Sequence, residues 1–369
     1  MVGARLIDPL DGILARAAAQ RPALELPRTH QEWREWRPRA LERLRAALGS
    51  WPERVPLDAE EGESEDAGDH RRTRIVFDAD AFSSVPAWLL RPKGLAVGAR
   101  RPALLCAHGH GRGKDDPAGV IDEALPADER ERERRRLERQ NYDYARQFVR
   151  AGYVCLAPDW RGFGERRPPK AWCGPDPARW ASDPCDVLYM AYGYLGFELL
   201  ALDLWDGMRA IDYLQSRADV DPDRIGCVGL SFGGTMTAFL AALDERVRAA
   251  DVVCYLSTVR HDALSLRGRG NFCGSQFLRG LLTFGDVSTI AGLIAPRPLL
   301  AEIGEHDDCF VVDDARRCYA DVAQVYGAAG APEALWQDVF PGPHAFSGRR
   351  AFAFFEETLG PPRASSGTT

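Results

Sequence analysis

What most limits this chain is a rhythm that begins at residue 102, where short apolar runs alternate with longer stretches of helical periodicity. The runs are PALLCA (102–107), YVCLAPD (153–159), RIGCVGL (224–230), AADVVCY (249–255) and RPLLAEIG (297–304). Their apolar residues follow one another without a polar face, so each reads as a strand buried on both sides. Strands of that kind, joined by helices, define an α/β fold with a mostly parallel central sheet flanked by helices.

Upstream of that rhythm, residues 73–78 and 85–91 gather β-formers around a Ser-rich turn and read as a hairpin. Residues 31–48 place Trp33, Trp36, Leu41, Leu44 and Leu48 three or four apart, with Gly49 and Pro52 as stop signals, and read as a helix. Its two tryptophans face either the chain's own sheet or a partner, which leaves a homo-oligomer open. The acidic stretch EEGESEDAGDH (60–70) reads as a mobile surface linker, and the charge run 127–140 as a solvated helix with pairs such as Glu131 and Arg135.

Composition excludes several classes of function. The 369 residues carry 47 Lys plus Arg against 54 Asp plus Glu, a formal charge of −7, so no net cationic field gathers nucleic acid or an anionic membrane surface. Only Lys93, Lys114 and Lys170 are lysines, a bias toward Arg that carries no functional weight. Nine cysteines without CxxC spacing, several inside apolar runs, fit buried thiols in a reducing compartment. The first twenty residues lack the pattern of a secretory signal and no run reaches bilayer length, so a cytoplasmic, membrane-free protein is expected.

Chemistry concentrates in Gly229-Leu230-Ser231-Phe232-Gly233-Gly234, which follows a buried run and precedes the helix-compatible TMTAFLAAL. Strand, sharp turn and helix are the setting in which a GxSxG pattern exposes a serine hydroxyl, because small neighbours tolerate the strained turn. The helix beneath favours developing negative charge. Such a serine needs a base, and the base needs an acid to fix its tautomer. The chain supplies both in the order Ser231, Asp307, His344, with Asp307 in GEHDD after RPLLAEI and His344 in PGPHAF after LWQDVF. Asp308 rivals Asp307. His261 precedes the acid and His306 adjoins it, so neither stands on its own late loop. The oxyanion of an acyl-transfer intermediate requires two backbone N–H groups, assigned to Phe232 and to His110 in His108-Gly109-His110-Gly111.

A competing reading makes His108, His110, Asp115 and Asp116 the ligands of a metal hydrolase, but no dense second ligand set accompanies them. Asp159 and Arg161 in APDWRGFG are read as structural, the arginine pairing with a carboxylate.

Through QEWREW at the first helix, CAHGHG, APDWRGFGER, WDGMRAIDYLQSRADVDPDRIGCVGLSFGG, LIAPRPLLAEIGEHDD and PGPHAF, the chain resembles the α/β-hydrolase superfamily. Within it, residues 30–358 resemble the acetyl xylan esterase-like and dienelactone hydrolase-like branch of bacterial esterases. The resemblance implies an N-terminal helical extension and linker (1–70), an α/β-hydrolase catalytic domain with lid insertions (71–360) and a frayed tail (361–369). It also implies a Ser-His-Asp mechanism on Ser231, His344 and Asp307 with no metal and no other cofactor. The expected activity is a serine esterase that cleaves an acetyl or other short acyl ester of a small molecule through an acyl-enzyme. A peptide, lactone or C–C bond hydrolase on the same triad and a non-catalytic ligand-binding protein remain alternatives. The aromatic segment 166–197, with Trp172, Trp180, Tyr189, Tyr192, Tyr194 and Phe197, reads as core, oligomer contact or pocket wall, and residues 269–286 as a second lid element.

Overall fold

The computed structural model describes residues 7–96, 98–169, 172, 183–264 and 272–362. Trp180, residues 269–271 of the second lid element and the tail from 363 onward lie outside the described residues.

The apolar runs are strands, and their lack of a polar face has a direct cause. Along β4 (Arg101–Ala107), Ala103, Leu105 and Ala107 enter one hydrophobic core while Leu104 and Cys106 enter a second on the opposite face. With β1 (Glu60–Asp66), β2 (His70–Asp80), β3 (Ser83–Pro92), β5 (Val154–Pro158), β6 (Val220–Leu230), β7 (Val247–Val253), β8 (Leu299–Gly304) and β9 (Leu335–Phe340), it forms a nine-stranded sheet ordered β1-β2-β3-β5-β4-β6-β7-β8-β9. From β5 to β9 neighbours are parallel, whereas β1, β2 and β3 form an antiparallel meander that joins β5. Among the described residues no helix is long and apolar enough to cross a membrane.

The helix expected at residues 31–48 runs His30–Leu48, after a first helix Pro9–Ala19, and opens on a capping box in which Thr29 and Glu32 satisfy each other's backbone N–H groups. Trp36, Ala40, Leu44 and Leu48 enter the first core, with Trp33 packed against it, so this stripe is covered by the chain's own fold.

One expectation fails outright: residues 60–66 are no linker but edge strand β1, paired antiparallel with β2. The boundary drawn at residue 70 therefore falls inside a hairpin. Six polar residues and Gly62 show no alternation to read, and the strand is held instead by its charges. Glu65 pairs with Arg72 at 2.8 Å, and Glu61 meets both Arg217 and the Tyr213 hydroxyl at 2.6 Å. A charged edge also discourages pairing with another sheet. The helix Ala127–Gln140 matches its solvated reading, with Glu131 to Arg135 at 2.9 Å, except that Arg136 reaches the fully buried Asp116.

Three neighbouring strands hide carboxylates on one face: Asp251 on β7, Glu302 on β8 and Asp338 on β9. Glu302 accepts backbone N–H groups from Ser347 (2.6 Å) and Gly348 (3.2 Å), and Asp338 accepts the Ser347 hydroxyl (2.7 Å). Neither Asp251 oxygen meets a partner among the described residues. Burial beside the other two acids pushes Asp251 well above the usual carboxylate range, and burial pushes Glu302 up to about 8. The folded chain thus holds protons that the unfolded chain releases near pH 4, and stability falls as pH rises through that window toward 8. Asp251→Asn removes one of these protons without changing shape. Its melting temperature, followed by circular dichroism, is expected to fall less between about pH 5 and about pH 8 than that of the unaltered chain. Equal slopes would mean that Asp251 is already ionised in the fold.

Candidate active site

Strand β6 ends at Leu230 and the helix Phe232–Leu243 begins two residues later, which leaves Ser231 alone to make the turn at φ +64° and ψ −120°. A residue with a Cβ is strained there, and packing on every side enforces the conformation. A Cβ added to Gly229 would overlap the Gly233 carbonyl, and one added to Gly233 would overlap the Ala107 carbonyl at the end of β4. Ser231 N–H donates to Val253 O at 3.0 Å, which ties the turn to β7 as well. Phe232 N–H sits at the first helical position, where no intrahelical acceptor exists.

Two later loops bring His344 and Asp307 together. Asp307 follows β8; its Oδ1 accepts N–H groups from Cys309 (2.7 Å) and Phe310 (2.9 Å), and its Oδ2 meets His344 Nδ1 at 2.9 Å. Both side chains are buried, and the Phe310 ring stacks on the imidazole at 5.8 Å. Asp308 and His306 point to solvent, and His261 lies on the turn Val259–Ala263, away from the cavity that holds Ser231. Of the two acids left open by spacing, Asp307 is the one at His344. The His344 loop itself hangs from Glu302 and Asp338 through Ser347, a support that no motif announced.

The loop after β4 closes over the serine. A Cβ on Gly109 would lie 2.6 Å from Leu230 O, 2.8 Å from Tyr142 Oη and 3.1 Å from Ser231 Cβ, so only glycine allows this approach, and His110 follows at the cavity. Tyr142 Oη accepts the Gly109 N–H at 2.7 Å. Sequence reasoning missed Tyr142, which sits in QNYDYA without periodicity or motif.

The alternative metal set is dispersed. His108 Nε2 accepts Trp160 N–H (3.0 Å) and Nδ1 therefore donates to Gly109 O (2.8 Å), leaving a neutral imidazole that burial holds down at about 3. Asp115 accepts the Trp88 indole N–H at 2.6 Å, and Asp116 is taken by Arg112 N–H and Arg136. Asp159 and Arg161 are structural. Asp159 accepts from Lys114 N–H (2.6 Å), Lys114 Nζ (3.0 Å) and Glu165 N–H (3.0 Å), while Arg161 binds Asp206 at 2.9 Å and Tyr192 Oη at 3.0 Å.

A cavity of about 320 Å³ is lined by His110, Tyr142, Asp183, Ser231, Cys273 and His344. Cys273 also borders a more apolar cavity of about 380 Å³ that includes Tyr189, Phe272 and Phe277. The aromatic segment is therefore divided: Tyr189 meets Phe277 edge-on at 5.1 Å in a cavity wall, Tyr192 secures Arg161, and Tyr194 is 93% exposed. From residue 272 onward the second lid element does border both cavities. His110 Nε2 lies 3.1 Å from Cys273 Sγ. Contact with Cys185, then with His110, draws the Cys273 thiol down to about 5 despite burial. Burial disfavours charge on His110, yet the Cys273 contact raises it overall.

A family model described as alpha/beta hydrolase fold matches residues 102–272. A Bacillus subtilis (strain 168) protein named "Putative hydrolase YtaP" is 28% identical over 294 residues, 78% of this chain and 86% of that protein. Among solved structures, a protein described as a "putative acetyl xylan esterase" from Bacteroides fragilis NCTC 9343 superposes with a TM-score of 0.74 at 18% identity, covering 92% of this chain and 84% of that one. A glucuronoyl esterase from Solibacter usitatus gives 0.62 at 18% identity, over 92% and 99% of the respective chains. The chain has the α/β-hydrolase fold. Its structural similarity extends to acetyl xylan and glucuronoyl esterases.

The turn at Ser231 depends on the bare Cα of Gly233. Gly233→Ala is expected to lower the free energy of unfolding by about 1–3 kcal/mol in urea titrations, because Ala107 O must move. Gly12→Ala, on a helix where nothing lies within 4 Å of the added methyl, should instead gain up to about 1 kcal/mol. Equal shifts in the two variants would contradict the close contact.

Proposed function

We propose that this protein is a carboxylic ester hydrolase that cleaves an acetyl or other short acyl ester through an acyl-enzyme on Ser231. The observation that carries the proposal is Ser231 in its strained turn, lining one cavity with His344, whose Nδ1 is held by Asp307 at 2.9 Å. In this reading Ser231 Oγ attacks the acyl carbon and His344 Nε2 accepts its proton, then returns it to the leaving alcohol. Asp307 keeps Nδ1 protonated and stabilises the imidazolium. The backbone N–H groups of Phe232 and His110 receive the oxyanion, and water repeats the sequence to release the acid.

The size of the cavity supports a small acyl group, since about 320 Å³ is near the lower end of small-molecule pockets. The esterases among the structural relatives support the ester bond as substrate. Cys106, Cys155, Cys227 and Cys254 are buried as free thiols in or beside the central strands, which fits a reducing, cytoplasmic setting.

The test is turnover of a p-nitrophenyl ester series of increasing acyl length. Acetyl to butyryl esters should be preferred, and Ser231→Ala should lose about a million-fold in kcat. Asp307→Asn should lose about ten-thousand-fold, whereas Asp308→Asn should stay within about twofold. Turnover that survives Ser231→Ala overturns the proposal. No ester turnover with intact fluorophosphonate labelling of Ser231 would redirect the triad to a peptide, lactone or C–C bond. No labelling at all would leave a binding protein.

A further inference from the structure

The wall of this cavity holds a second cluster, of side-chain donors that the proposed ester hydrolysis does not use; of His110 that reaction takes only the backbone N–H. His110 comes from the loop after β4, Cys185 from the first turn of the helix Pro184–Tyr194, and Cys273 from the turn before Gly274. His110 Nε2, Cys185 Sγ and Cys273 Sγ all lie within 4.8 Å of one another, and the His110 to Cys273 separation is 3.1 Å. Both thiols are free.

Three features separate this cluster from chance burial. The donors are two sulfurs and one imidazole nitrogen, the set that suits zinc-class ions and is poorly suited to hard cations. Tetrahedral zinc, with bonds of about 2.3 Å to sulfur and about 2.0–2.1 Å to nitrogen, places its donors roughly 3.5–3.8 Å apart. Since none of the three separations exceeds 4.8 Å, no donor-to-donor distance has to change by more than about 1 Å to reach that spacing. The backbone is also built to bring the sulfurs together. A Cβ on Gly274 would overlap Tyr189 and lie 2.6 Å from Cys185 O, so the turn bearing Cys273 is pressed onto the helix bearing Cys185. Asp186 fixes that turn by accepting Gly274 N–H at 2.8 Å, and Asp183 fixes the helix start by accepting Cys185 N–H at 2.8 Å. A thiol hydrogen-bonded to histidine would need only one cysteine, and a disulfide would need no histidine.

We propose that His110 Nε2, Cys185 Sγ and Cys273 Sγ bind one zinc-class divalent cation, with its fourth position toward the cavity that His110 and Cys273 line. On binding, the Cys185 thiol and the His110–Cys273 pair each give one proton to solvent, so up to two protons leave per ion. The ion clasps the two lid segments to the loop that covers Ser231. The site stands on these donors alone and does not require the ester-hydrolase reading.

The test uses the full chain, reduced and freed of metal, titrated with Co²⁺ and then Zn²⁺. About one equivalent of cobalt should give thiolate charge-transfer absorption and tetrahedral visible bands, displaced by zinc, with release of up to two protons. Cys185→Ser and Cys273→Ser should each weaken cobalt binding at least about 100-fold, since changes to outer partners alone cost 10–100-fold. Cys318→Ser, on the helix Val312–Ala329 and outside the cluster, should leave the spectrum unchanged. Because Cys185 is buried, Cys273→Ser guards against a variant that merely misfolds. Absent bands, or bands that survive both substitutions, overturn the site. So does isolation of a Cys185–Cys273 disulfide that takes up no metal after reduction.

Discussion

The contact between the bare Cα of Gly233 and the Ala107 carbonyl governs the rest of the site. Ala107 and Gly229 are register partners on β4 and β6, so the helix that follows Ser231 can start only by settling onto the end of the neighbouring strand. That seat drives Ser231 to positive φ and turns its side chain out of the sheet. It also fixes the height of the next loop, because β4 ends where the elbow begins. Gly109 then passes within contact of Ser231, and His110 arrives at the cavity.

Parallel strands compound the effect. The carboxyl ends of β4, β6, β8 and β9 lie on one edge of the sheet, and their following loops deliver His110, Ser231, Asp307 and His344 to one place. These four residues are far apart in the chain yet need no long-range search once the sheet has registered. This explains why both the strands and the candidate site were legible. Runs that feed two cores at once cannot hide their apolar character, and GLSFGG is short enough for its geometric demands to appear as glycines.

What was not legible depends on partners rather than on pattern. The strand Glu60–Asp66 has no apolar side, and only the arginines and the tyrosine opposite it show why it is ordered. Tyr142 acts through one hydroxyl at a distant backbone N–H. Glu302 and Asp338 sit inside strands where periodicity would place apolar residues, and they are there because the His344 loop needs acceptors beneath it. Nothing in the spacing of Cys185 and Cys273 puts them beside His110. In each case the missing information is tertiary.

The buried charges follow the same logic. Asp159 with Lys114, and Arg161 with Arg166 and Asp206, lie under the loops next to the cavity. Buried ion pairs seldom add net stability, because desolvation offsets their attraction, but they penalise every arrangement that separates them. Here that penalty holds irregular loops in one geometry, a task that apolar packing performs poorly because it is non-directional. Asp203 shows the other side of this choice. Fully buried next to Asp206, it is pushed up to about 8, and its Oδ1 still accepts Arg161 N–H at 2.9 Å. The core tolerates a carboxyl that prefers its proton because that carboxyl orders the backbone of Arg161. The acids under the His344 loop follow the same rule: Glu302 and Asp338 are buried at a cost in desolvation and return directed hydrogen bonds that hold Ser347 and the loop that carries His344.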